Sequence, residues 1–105
     1  MSNNDNGTYR ITLMIGHNVN NVPVLESDDI QDAIVTNCNI CGATYIEAKG
    51  IWHGESENTT IAIIYTDKIE ADRIREKIPQ LAKSLKQESI YVDIQRTNAI
   101  EIHAC

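Results

Sequence analysis

The chain has 105 residues, a length typical of one domain, and 42% of its residues are hydrophobic, which is enough to build a core. Its formal net charge is −6, and phosphate backbones repel a surface of this sign, so the composition disfavours nucleic-acid binding. Without a signal-peptide pattern or an apolar run of membrane-spanning length, the chain is predicted to be cytoplasmic, with no membrane partner.

The first half of the chain is predicted to form a strand and a helix after a polar start. Residues 1–8 are rich in asparagine, and we expect them to be flexible. Tyr9–Ile15 places apolar residues at every second position, which is typical of a strand with one buried face. Apolar residues at helical spacing follow Ser27, the expected N-cap, and this helix should end near Asn37–Cys41.

The second half is predicted to form two strands, a helix and a last strand. Thr44–Trp52 is the second strand. The third runs from residue 58 or 59 to residue 66 and is apolar on both faces, as in the middle of a sheet. Asp67 opens a capping box for the second helix, which Pro79 should kink or restart. Ser89–Gln95 is the fourth strand.

This order of elements predicts an α+β fold of the ferredoxin-like βαββαβ type. In that fold, four antiparallel strands lie in the spatial order 4-1-3-2, and two helices cover one face of the sheet. Asn98–Cys105 is a candidate for a short C-terminal edge strand. Residues 9–105 would then form a single ferredoxin-like domain after the flexible start.

The polar stretch Gly50–Thr59 joins the second and third strands and carries the only tryptophan of the chain. Because strands one and two run in the same direction, the residues after strand one should meet this hairpin and the end of the second helix at one edge. An indole offers a stacking surface, imidazole titrates near neutral pH, and carboxylates accept hydrogen bonds. We therefore predict a ligand-binding site without catalytic residues, made of His17, Asn18, Asn20, Trp52, His53, Glu55 and Glu57.

In this hypothesis Trp52 stacks on the ligand, His17 and Asn18 donate hydrogen bonds, and Glu57 orients the ligand. Two other interpretations remain open. The hairpin can be a plain turn whose tryptophan closes one end of the core, and the asparagines can serve turn geometry alone. Two imidazoles with two carboxylates can also hold a divalent metal or carry out acid–base chemistry.

Cys38 and Cys41 form a CxxC motif at the end of the first predicted helix. Cysteines of a cytoplasmic protein are expected to be thiols. A thioredoxin-type redox pair needs a helix N-terminus, where the dipole lowers the thiol pKa, so this position disfavours a redox function. A zinc site would need two further ligands from the tail, which gives the set Cys38, Cys41, His103 and Cys105. The alternative is that Cys38 is a core residue, and no cofactor is predicted.

The predicted sheet leaves one face without helices. Strand alternation places a mixed set of side chains there: Arg10, Thr12, Met14, Tyr91, Asp93 and Gln95. Together with one half of the third strand, this face is too apolar in its middle to stay exposed. We therefore predict a homo-oligomer, a dimer or a trimer, that covers the face.

The order of Cys41, Gly50-Ile51-Trp52-His53-Gly54, Glu55, Glu57 and the strand Thr60–Thr66 resembles the PII/CutA-like group of small ferredoxin-like proteins. The resemblance implies a trimer. It implies nucleotide binding between subunits for the PII branch and a link with metal binding for CutA-like members. The chain lacks the long PII loop and its basic nucleotide-binding stretch, so the resemblance leaves the ligand open. Small ferredoxin-like proteins of phages and mobile elements, some of which sequester nucleotide signals, are a second resemblance.

Together these features predict a small oligomeric cytosolic module that binds a small ligand, with a nucleotide signal among the candidates, for sensing or sequestration. The first alternative is an acidic inhibitor or adaptor, encoded by a phage or mobile element, that binds a protein partner. The second alternative is a nucleotide hydrolase that uses His17 and His53 as acid and base.

Overall fold

The structure, a computed structural model, describes residues 6–99. The first five residues of the predicted flexible segment and the last six residues of the candidate edge strand lie outside the described residues, and Asn98 and Ala99 belong to no strand. Within residues 6–99, no helix is long and apolar enough to cross a membrane.

Four long strands and two helices make up most of the described chain. The elements are β1 (Thr8–Gly16), β2 (Asn18–Val19), β3 (Val22–Pro23), α1 (Ser27–Cys38), β4 (Thr44–Trp52), β5 (Glu55–Thr66), α2 (Lys68–Ser84) and β6 (Tyr91–Thr97). The long strands form one antiparallel sheet in the order β4-β5-β1-β6, and β2 pairs with β3 in a separate ribbon. A small α+β fold with a four-stranded antiparallel sheet and two helices is thereby confirmed.

The first helix is capped by acidic residues and not by the predicted serine. Ser27 is the first helical residue, and Glu26 holds the N-cap position. The Glu26 N–H donates to the carboxylate of Asp29 at 2.9 Å. Negative charge in the first turn also interacts favourably with the helix dipole. At the other end the prediction is confirmed, because α1 ends at Cys38 and Asn39 is the C-cap.

The hairpin between β4 and β5 is tighter than predicted. Trp52 pairs with Glu55, so His53 and Gly54 alone form the turn. Their φ angles are +53° and +78°, as a two-residue type I′ turn requires at both central positions. The twist of this turn matches that of the flanking strands, so strand pairing continues up to the turn. For this reason β5 begins three or four residues earlier than the sequence prediction.

The second helix begins as predicted but is not interrupted. The Asp67 carboxylate accepts a hydrogen bond from the Glu70 N–H at 2.8 Å and caps α2. Pro79 lies inside α2 on its exposed side, and the helix continues past it to Ser84. The next residues form the C-terminal cap of α2, so β6 begins at Tyr91, two residues later than predicted.

The core lies between one face of the sheet and both helices. Ile11, Leu13 and Ile15 of β1 alternate onto this face and are at most 1% exposed. They share one apolar cluster with residues of β5 and of both helices, namely Ile30, Ile34, Cys38, Ala62, Ile64, Ala71, Ile74, Leu81 and Leu85. Both helices therefore cover the same face of the sheet.

The opposite face of the sheet, called here the open face, mixes apolar and polar side chains. Ile46, Tyr65 and Tyr91 are 44%, 54% and 59% exposed. On the same face, the Arg10 guanidinium donates to the side-chain oxygen of Gln95 at 3.0 Å. Exposed large apolar side chains on a sheet face are typical of a surface that binds another molecule.

Candidate ligand-binding site

Three loops meet at one end of the open face and enclose a groove with a volume of about 340 Å³. They are the β4–β5 turn, the segment after β1, and the connection between α2 and β6. Six of the seven predicted site residues line the groove, namely Asn18, Asn20, Trp52, His53, Glu55 and Glu57. The lining also includes Asn21, Gln87, Glu88 and Ser89, which the predicted strand order brings to this edge, and four residues that the sequence did not indicate there, namely Met14, Gly16, Lys86 and Tyr91.

Two tight turns shape the rim of the groove. His53 and Gly54 form one of them, as described above. Asn20 and Asn21, with φ angles of +52° and +65°, form the other between the paired residues Val19 and Val22. Asparagine adopts the left-handed region more readily than most residues do. The asparagines therefore serve turn geometry and also line the groove, so the two interpretations of this segment are compatible.

Glu57 is held in a fixed position beside Gly16. The Asn18 N–H donates to Glu57 Oε2 at 2.8 Å. A Cβ placed on Gly16 would lie 2.5 Å from Glu57 Oε2 and 2.7 Å from its Cδ, so the carboxylate occupies the space that a side chain would take. The Asn18 carbonyl accepts a hydrogen bond from Gln87 Nε2 at 2.9 Å. The Asn18 backbone thus connects the hairpin strand to the α2–β6 connection.

An aromatic pair forms another part of the groove. The rings of Trp52 and Tyr91 stack with centroids 5.3 Å apart and planes 26° from parallel. The indole Nε1–H of Trp52 donates to Thr59 Oγ1 at 3.4 Å. Gly50 leaves the room that this ring needs, because a Cβ there would lie 2.7 Å from Trp52 Nε1. The ring orientation is therefore set by a hydrogen bond, a stacking partner and a glycine beneath it.

The groove carries more negative than positive charge. Glu55, Glu57 and Glu88 contribute three carboxylates, and Lys86 contributes one ammonium group, for a formal charge of −2 with His53 neutral. A cleft lined mainly by one sign of charge attracts ligands of the opposite sign. The groove thus favours a ligand that carries positive charge next to an aromatic ring.

His17 lies apart from the other predicted site residues. It continues the alternation of β1, so its side chain lies on the helix side of the sheet and is only 5% exposed. Its Nε2 shares a hydrogen bond of 2.7 Å with Thr60 Oγ1, and that hydroxyl donates to Glu47 Oε2 at 3.4 Å. His17 lines a second groove, and not the one that contains His53. The two imidazoles therefore do not face a common ligand, and the hydrolase hypothesis loses the pair on which it rests.

The similarity of this chain to known proteins lies in its fold. No protein-family model and no curated protein matches the chain. Its fold is similar to that of a phage SAM lyase. The structure of such a lyase in complex with S-methyl-5′-thioadenosine has a TM-score of 0.72 and 24% identity, over 91% of this chain and 86% of that chain. A phage SAM lyase in the apo state has a TM-score of 0.71 and 25% identity, with the same coverage.

These two similar structures agree with a small α+β fold and with a small molecule as the partner. One of the lyases is bound to a thioadenosine, which contains the adenine ring of S-adenosylmethionine (SAM). The resemblance to PII and CutA-like proteins stays a prediction.

The cysteines lie away from the groove. Cys38 is fully buried, and burial raises the pKa of its thiol, against a smaller opposite effect of Arg73 and Lys77. Its role as a core residue is thereby confirmed. Cys41 is exposed, and His103 and Cys105 of the predicted zinc set lie outside the described residues. Over residues 6–99, no three His, Cys, Asp or Glu side chains are grouped as metal ligands.

Proposed function

We propose that this protein binds SAM in the groove and cleaves it as a lyase, with S-methyl-5′-thioadenosine as one product. The proposal rests on one observation: a stacked aromatic pair and a carboxylate held in place by a hydrogen bond lie in the same negatively charged groove. This groove lies on a fold that the chain shares with a phage SAM lyase. Binding without cleavage, as in a sensor or a sequestering protein, is the second candidate, and it uses the same groove.

The chemistry of SAM matches the groove in two places. Its adenine ring needs a stacking surface, and Tyr91, at 59% exposed, offers the open ring face of the aromatic pair. The rings of Trp52 and Tyr91 are only 5.3 Å apart, so adenine stacks beside the pair and not between its members. The sulfonium carries a positive charge, and Glu57 provides a carboxylate held in place by the Asn18 N–H.

A lyase needs no water and no second substrate. In SAM, the bond that must break joins the sulfonium sulfur to the γ-carbon of the methionine side chain. The bonding electrons stay on sulfur, which becomes the neutral thioether of S-methyl-5′-thioadenosine. The four-carbon fragment then leaves as a lactone if its own carboxylate attacks that carbon, or as an unsaturated amino acid if a base removes a proton. The hydrogen bond that holds Glu57 keeps one charged oxygen near the place where the sulfonium would lie.

Fluorescence and product analysis test the proposal together. Trp52 is the only tryptophan, so its emission reports directly on the groove. Titration with SAM and with S-methyl-5′-thioadenosine should give saturable changes, and chromatography should show thioadenosine accumulating in proportion to protein concentration. Binding of SAM without any product would contradict cleavage and support the second candidate, a sensor or a sequestering protein. A flat response to both ligands, together with no product, would rule out both candidates.

Tyr91→Ala should weaken thioadenosine binding by about tenfold, because stacking of a base on an aromatic side chain contributes about 1–3 kcal/mol. Tyr91→Phe is the matched control: it keeps the ring and should keep the affinity within about twofold. Equal losses in both variants would show that the hydroxyl, and not the ring, holds the ligand. Isothermal titration calorimetry measures both variants without relying on the tryptophan.

We further propose that a second copy of the chain covers the part of the open face that lies outside the groove, so that the protein is a dimer or a trimer. The support is the exposure of the large apolar side chains of Ile46 and Tyr65, which do not line the groove. Ile46→Glu should shift the sedimentation coefficient from oligomer to monomer. Ile69→Glu on α2, where the isoleucine is 78% exposed, is the control and should leave the oligomer intact. A wild-type monomer at micromolar concentration would contradict the proposal.

The proposal also includes the fold class and the cellular location of the protein. The strand order β4-β5-β1-β6 with both helices on one face supports the ferredoxin-like class. Within residues 6–99, Cys38 and Cys41 form no disulfide bond with each other, which supports a cytoplasmic location. The protein-binding alternative stays a prediction that rests on the charge of the chain.

A further inference from the structure

Lys86 stands out among the groove residues by its charge. Among the residues that the structure describes, it is the only lysine or arginine that lines the groove, together with three carboxylates. Within the same described range, the ion pairs join Lys68 to Asp72 and Arg73 to Glu70, and neither involves Lys86. Lys86 is an exposed residue.

The backbone position of Lys86 is unfavourable for a lysine. The Gln87 N–H donates to the Ala82 carbonyl at 2.9 Å, and the Lys86 N–H donates to the Lys83 carbonyl at 3.1 Å. This pair of bonds is the Schellman motif that ends a helix, and it places Lys86 at the C′ position with a φ of +55°. Glycine is the common residue there, because a Cβ in the left-handed region is strained. The chain thus keeps a cationic side chain where the helix terminus favours glycine.

SAM has one group that a groove rich in carboxylates would repel, namely the α-carboxylate of its methionine part. The sulfonium and the α-ammonium group are attracted by the acidic residues, but the carboxylate needs a cation. We propose that Lys86 pairs with this carboxylate and thereby distinguishes SAM from S-methyl-5′-thioadenosine, which lacks it. The inference rests on the function proposed above, and it assigns to Lys86 a preference for substrate over product.

Decarboxylated SAM is the probe that isolates this contact, because it keeps the adenosine, the sulfonium and the amino group. Lys86→Met should raise the Kd for SAM, measured by Trp52 fluorescence before turnover, by about tenfold or more. The Kd for decarboxylated SAM should stay the same or fall, since the variant only makes the groove more negative. The Kd for S-methyl-5′-thioadenosine should change by less than about twofold.

Two further variants separate ligand recognition from folding. Lys83→Met removes the same charge from an exposed position one turn earlier on α2 and should leave all three affinities unchanged. Lys86→Gly should raise the melting temperature by about 4 °C, because it relieves the left-handed strain, and should still weaken SAM binding. A purely structural role for Lys86 predicts no selective effect on SAM.

The outcomes distinguish this inference from the function on which it rests. Wild-type protein that binds none of the three ligands would remove the proposed function and the inference with it. Wild-type binding, combined with equal effects of Lys86→Met on SAM and on decarboxylated SAM, would overturn the inference alone. Selective loss of SAM affinity, with a rescue by Lys86→Arg, would establish it.

Discussion

Replacing Glu57 with glutamine should raise the Kd for SAM by about tenfold to a hundredfold, which corresponds to about 1.4–2.8 kcal/mol. The amide keeps the shape of the side chain, and its oxygen can still accept the hydrogen bond that Asn18 donates to Glu57 Oε2 at 2.8 Å. The substitution therefore removes a charge and leaves the loop in place. The effect should follow the charge of the ligand, because only the carboxylate attracts the sulfonium.

S-adenosylhomocysteine is the ligand that tests this reasoning. It lacks the S-methyl group of SAM and with it the positive charge on sulfur. Glu57→Gln should therefore change the Kd for S-adenosylhomocysteine by less than about threefold, within the range of a lost neutral contact. Glu76→Gln, at an exposed position on α2 outside the groove, controls for the change in net charge and should affect neither ligand. Equal losses for both ligands would contradict a contact with the sulfonium.

The same reasoning also predicts how Glu57→Gln changes KM and kcat. The positive charge on sulfur disappears as the carbon–sulfur bond breaks, so a carboxylate beside it stabilises the substrate more than the transition state. Part of the positive charge remains on sulfur in the transition state, so Glu57→Gln should raise KM and leave kcat unchanged or raise it by up to about threefold. A loss of kcat of about a hundredfold or more would instead assign a general base to this position. Initial-rate measurements over a wide range of SAM concentrations separate the two outcomes.

Much of the fold follows from local patterns in the sequence. The alternation in β1 and the apolar spacing in α1 and α2 depend on neighbours within one element, so strand and helix positions could be predicted to within a few residues. The same alternation also determines that His17 points away from the groove, since it is an even number of residues from the buried Ile15. Treating the segment after β1 as an irregular loop is what placed its imidazole in the predicted site.

The parts of the site that could not be predicted arise from contacts between distant segments. Trp52 meets Tyr91 across two intervening strands, and this contact depends on ring size, on strand order and on the room above Gly50. Lys86 enters the groove through a helix cap whose left-handed residue is usually glycine, so its position carried no signal in the sequence. These contacts can be predicted only when the register of the sheet and the path of the loops are both known.

Gly16→Ala should weaken SAM binding by about tenfold or more while the protein stays folded. The new Cβ would lie 2.5 Å from Glu57 Oε2, which forces the carboxylate away from the Asn18 N–H. The displaced group is the end of a flexible side chain, so the sheet itself need not move. Alanine is also favoured over glycine within a strand, so the free energy of unfolding should change by about 1 kcal/mol or less. Urea denaturation and calorimetric titration measure the two quantities.

Gly42→Ala is the matched control, because a Cβ at Gly42 has no atom within 4 Å, and the variant should bind SAM like the wild type. A double variant then shows whether Gly16 acts through the carboxylate. If it does, adding Gly16→Ala to Glu57→Gln should cause little further loss, since the charge that the methyl group displaces is already absent. Fully additive losses would mean that the alanine methyl group blocks the ligand directly. In that case the Gly16 surface itself, and not the position of the Glu57 carboxylate, would be what the ligand needs.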